Sequence, residues 1–188
     1  YNTAPKSVSA TVLALIISFK PMTAPFLSPL YALLQGAFLG AISFLVAGKN
    51  PAGGAMVMQA VALTFGIFVA LLVGYGLGLI RLGGTAMKIV MVGTLGVALT
   101  YLASFLFGMF GLNIMGALHG SGAVGIGFSI VVIILASLNL VLDFQFIEGG
   151  VKSGAPKHME WYAGFGLLVT LVWLYLEILR LLSKLNRR

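Results

Sequence analysis

The chain has 188 residues, 60% of them hydrophobic and 8% charged, with a mean hydropathy of +1.10; average soluble domains carry about a quarter charged residues, so this is an integral membrane protein. Cysteine is absent and there are two histidines, which excludes disulfides, thiol chemistry and a structural zinc site built from these residues. The net charge of +7 is spread over loops and the C-terminal tail, where Lys and Arg anchor helices at anionic headgroups, and it calls for no nucleic acid.

The chain opens Tyr1, Asn2, Thr3, Ala4, Pro5, Lys6, without a basic n-region or cleavage site, and reads as truncated rather than as carrying a signal peptide. A first apolar segment, about 7–20, ends at Lys20-Pro21 and reaches only ~20 Å, short of the ~30 Å hydrocarbon core. Pro21, Pro25 and Pro29 predict a turn and the first turn of the next helix, where proline is tolerated. That helix is expected over about 30–47, stopping at Gly48-Lys49-Asn50-Pro51. Further spans are expected at 56–80, closed by Arg81 and Gly83-Gly84, and at 87–110, ending in a Gly-rich stretch. The last two are 124–147 and 159–182, with Lys184, Arg187 and Arg188 as a tail. Six hydrophobic segments, five long enough to cross, predict one all-α polytopic membrane domain over 1–188 and exclude a transmembrane barrel. Lys and Arg divide almost evenly between the two sides, which leaves orientation open.

Gly36/Gly40, Gly74/Gly78 and Gly116/Gly120 have the four-residue spacing that lets helix backbones approach closely, within the chain or between chains. Gly120-Ser121-Gly122-Ala123-Val124-Gly125 fits GxGxxG but lies between two membrane helices instead of after a strand, so no dinucleotide site is expected. His119 and His158 are expected at the interface, the second placed to modulate a nearby acid near neutral pH.

Asp143, Glu148, Glu160 and Glu177 are the four acidic side chains. An acid near hydrocarbon is costly unless it faces protein or water, so these are the functional candidates. Asn139 and Asp143 form an i, i+4 pair on one face, and Gln145 adds to the polar character there. The alternative for Asp143 is a polar group at the interface. For Glu177 it is a local ion pair with Arg180. Trp161, Tyr162, Trp173 and Tyr175 read as an aromatic belt. With no HExxH, no intramembrane aspartate pair and no serine with a histidine partner on its helix, enzymatic chemistry is not expected.

The run Asn139-Leu140-Val141-Leu142-Asp143-Phe144, then Phe146-Ile147-Glu148, Met159-Glu160-Trp161-Tyr162 and the stretch from Leu171 to Leu182 closely resembles the bacterial Bax inhibitor/YccA family. Pro29 to Gly36 and Phe38 to Ser43 resemble its third helix. The resemblance implies a seven-helix fold with a central last helix between two layers of three, here lacking the first helix, in a bacterial inner membrane. It also implies a pH-sensitive calcium leak channel closed by two acids sharing a proton. Asp143 matches the first acid. The Tyr-Leu-acid motif puts the second at Glu177, whereas the Leu-Arg-Leu-Leu ending puts Thr170 in that slot. Gln35 stands where the family is expected to carry Glu.

Depth argues against the Asp143–Glu177 pair. Asp143 is expected about one turn from its helix end and Glu177 ~27 Å along the antiparallel neighbour, ~20 Å apart in depth. Groups that far apart cannot share a proton. Asp143 with Glu160 or Glu148 near one mouth is geometrically easier. Two functions follow as expectations. One is a proton-gated cation leak with at most a low-affinity calcium site at Asp143, since calcium takes six to eight oxygens. The other is a membrane regulator that binds another membrane protein, such as a quality-control protease.

Overall fold

The long helices are apolar on nearly every side, the pattern of segments that face lipid outward and protein inward. In this computed structural model, which describes residues 4–48, 53–109 and 122–186, they form α1 (Ala4–Phe19), α2 (Ala24–Gly48), α3 (Gly53–Gly76), α4 (Gly84–Met109), α5 (Ala123–Lys152) and α6 (His158–Leu185), with a short 3-10 turn at Pro21–Thr23. No strand occurs among the described residues. Five of the helices are long and apolar enough to cross a membrane, all but α1, and the protein is a polytopic helical membrane bundle. Lys49, His119, the Gly116/Gly120 pair, the start of the GxGxxG run, Arg187 and Arg188 lie outside the described residues.

The last helix is central. α6 packs against α2, α3 and α5, and between Val172 and Leu179 it buries Val172, Leu174, Tyr175, Glu177, Ile178 and Leu179. α5 offers it a stripe at helical spacing, Ser129, Val132, Ala136, Leu140 and Phe144, all buried. α1 lies on α2, and α4 lies along α5. Within a bilayer, apolar burial between helices gains little over lipid, so close packing and interhelical hydrogen bonds hold the bundle. Such bonds join Ser43 to Tyr175 at 2.6 Å, Asn139 to Thr94 at 2.7 Å, and Lys184 to Ser129 at 2.9 Å.

Several expected boundaries move. α2 begins at Ala24, so Pro29 lies inside it; it removes only the bond its missing N–H would make to Pro25, one turn from the start. α3 stops at Gly76 because Gly78 turns left-handed at φ +74°, and the amides of Leu77, Gly78 and Leu79 fold back on the carbonyls of Val73, Tyr75 and Gly74. α5 runs through Gly149-Gly150 to Lys152, helped by the Glu148–Lys152 pair at 2.5 Å.

Other expectations are corrected. Lys184 is no tail residue: it sits in the last turn of α6, 6% exposed, and donates to the Gly125 carbonyl at 2.8 Å as well as to Ser129. Gly36 and Gly40 face open space, and Gly74 meets only Ile80 of its own terminal turn, so these pairs mediate no helix contact among the described residues. Tyr175 is buried against Ser43 rather than in a belt. Tyr162 meets Phe146 edge-on and Phe165 at a tilt, while Trp161 stays exposed.

Candidate ion-pathway site

α5 and α6 run antiparallel, and the register between them decides what each acid can meet. At one end Lys184 reaches Gly125 and Ser129. Toward the other end Asp143 faces Gly166 and Thr170: its Oδ1 lies 3.9 Å from where a side-chain carbon on Gly166 would stand. The Thr170 hydroxyl donates to the Gly166 carbonyl at 3.2 Å and stands beside the Asp143 carboxylate. The other carboxylate oxygen, Oδ2, is buried without a protein hydrogen-bond partner.

Glu177 occupies a separate site. It is 1% exposed, and its Oε1 accepts from the Tyr101 hydroxyl at 2.5 Å and from Arg180 at 2.7 Å. Arg180 also donates to the Tyr101 oxygen at 2.6 Å, with its guanidinium carbon 5.1 Å from the Tyr101 ring centroid. Thr170 and Glu177 are seven residues apart, so the two acid sites differ by ~10 Å along α6. The expected ~20 Å is too large because α5 continues nine residues past Asp143, which sets the acid deeper than one turn from its end. Buried Ala136, Leu140 and Leu174 fill the interface in this part of the bundle.

The easier pair near one mouth does not form. Glu148 is engaged by the Tyr75 hydroxyl, by Lys152 and by Arg81 at 3.5 Å. Glu160, in the first turn of α6, is exposed. Gln145 donates to the Leu82 carbonyl at 3.0 Å, so this end of α5 is tied down to the α3–α4 connection. Asn139, one turn before Asp143 on the same helix, bonds Thr94 of α4 and the Leu135 carbonyl at 2.8 Å. Gln35 makes no hydrogen bond among the described residues, and His158 is simply the first residue of α6.

No group of three or more His, Cys, Asp or Glu side chains that could hold a metal ion exists among the described residues. One carboxylate with a threonine hydroxyl supplies fewer oxygens than the six to eight calcium prefers. Sequence reading missed Tyr75, Tyr101 and Thr94, the partners of Glu148, Glu177 and Asn139. Their signal was available: each is a hydroxyl within an apolar run, which needs a partner when buried.

A family model described as Bax inhibitor 1 like matches residues 2–187 of the chain. No curated protein and no solved structure matches it.

Proposed function

The chain belongs to the Bax inhibitor 1 like family, and from that premise we propose that it is a non-enzymatic cation leak, with calcium as the ion class, closed by protonation of Asp143. The observation that carries this reading is Asp143 itself, held inside the α5–α6 interface against Gly166 and Thr170 with Oδ2 unpartnered. An acid within a membrane helix that is not neutralised by a cation is suited to taking up and releasing a proton.

The local chemistry gives the sign. A protonated Asp143 donates to Thr170 Oγ1, while Thr170 keeps donating to the Gly166 carbonyl, so an unbroken chain ties α5 to the α6 backbone. When Asp143 loses its proton, the one Thr170 hydrogen serves either the carboxylate or the carbonyl, and the chain is broken at one point. Low pH therefore favours the closed interface and high pH favours opening. Glu177, already neutralised by Arg180, is not the second acid of a shared-proton pair. The protein is proposed to act in a bacterial inner membrane.

Calcium entry into dye-loaded proteoliposomes tests the reading. Entry that requires the protein supports it, and well-folded protein that leaves the vesicles as tight as protein-free ones overturns it. A second reading, a non-transporting regulator of another membrane protein such as a quality-control protease, is favoured by one observation: Gly36 and Gly40 of α2 leave open space where a foreign helix could come close. Purification from native membranes with a stoichiometric partner, undisturbed by Asp143→Asn, would support it.

A further inference from the structure

We infer that Tyr101, Glu177 and Arg180 form a latch that holds the C-terminal half of α4 onto the central helix, and that α4 is the element that swings away when the bundle opens. Among the described residues α4 is the least embraced of the spanning helices. It packs along α5 and presents Leu99, Leu102, Leu106 and Phe107 outward. Its N-terminal half is pinned twice, by Thr94 bonded to Asn139 at 2.7 Å and by Gly93 seated against Leu135. Its C-terminal half reaches α6 through Tyr101, whose ring also stands edge-on to Phe128 of α5 at 6.4 Å.

The chemistry of this contact suits a catch better than a weld. Both donors converge on one oxygen, Glu177 Oε1, while Oε2 is buried with no protein partner among the described residues. Glu177 and Arg180 lie three residues apart on α6 and stay paired whatever α4 does. Among the described residues this cluster meets α4 through the Tyr101 hydroxyl and ring, so release costs the hydrogen bonds of that hydroxyl and its contact with the Arg180 guanidinium, while Glu177 keeps Arg180 as its counter-charge. Gly96, interior to the helix between Thr94 and Tyr101, supplies a compliant point between the pinned part and the latched part.

The effect on ion passage rests on the leak reading, but the latch itself does not. The chain has no cysteine, so spin labels on Leu106→Cys and Leu185→Cys, both on exposed positions, report the α4–α6 distance in lipid vesicles without background. In the parent a short distance should dominate. Tyr101→Phe, which removes one oxygen and keeps the ring, should raise the longer-distance population roughly five- to tenfold. Glu177→Gln, a weaker acceptor of the same shape, should move it in the same direction by less, and it carries the test should the phenylalanine variant not fold. Distributions that superimpose on the parent would overturn the latch, even if calcium still enters the vesicles. Lengthened distances with no calcium entry in any variant would keep the latch and remove the leak reading.

Discussion

Asp143 meets a hydroxyl that can reverse its hydrogen bond, whereas Glu177 meets a guanidinium that cannot, so the two acids respond differently to the loss of a single atom. Glu177 was legible in sequence as the i, i+3 partner of Arg180. Tyr101, 76 positions away, was not, because no local spacing marks a contact between distant helices. Lys184 shows the same limit. By position it belonged to a basic tail, yet it spans from α6 to the first turns of α5 and satisfies a carbonyl and a hydroxyl there. Lys184→Met would keep the stem and remove the ammonium that donates to the Ser129 hydroxyl and the Gly125 carbonyl. The expected loss is about 1–3 kcal/mol, read as a lower unfolding temperature in detergent. An unchanged temperature would show that these bonds hold nothing together.

At the scale of the helix, composition and run length located every span, because lipid allows few alternatives to a long apolar helix. The ends were harder. The span expected to end at 147 continues through Gly149-Gly150, since a glycine pair weakens a helix without ending it, and the left-handed turn comes later, at Gly154 with φ +64°. That shift sets the depth of Asp143 and so decides which residue it faces. Two consequences can be measured. Thr94→Val and Asn139→Leu, alone and together, should show a coupling of about 0.6 kcal/mol, the usual worth of such a bond between membrane helices; additive effects would mean that α4 is not pinned there. Gly36→Ala and Gly40→Ala place a methyl group in open space. Each should raise stability by about 0.5–1 kcal/mol through helix propensity, and a loss instead would reveal a close neighbour at that face.

For the molecule as a whole, the family match and the central last helix agree with the architecture expected from sequence. The assignment of the acids was less legible, since it depends on the register of two antiparallel helices, which the residues alone do not fix. Matching the end of α6 by its Leu-Arg-Leu-Leu run pointed to Thr170, and Thr170 stands near the Asp143 carboxylate. In the proposed leak one acid and one hydroxyl carry the proton response, with Glu177 left to the latch. The most direct test is calcium entry into proteoliposomes across about pH 5 to 8, comparing the parent with Asp143→Asn and Thr170→Val. The parent should pass more calcium as pH rises. Asp143→Asn, whose amide donates to Thr170 as a protonated acid would, should stay low and flat, and Thr170→Val should lose most of the pH response. An Asp143→Asn profile that follows the parent at every pH would contradict the account.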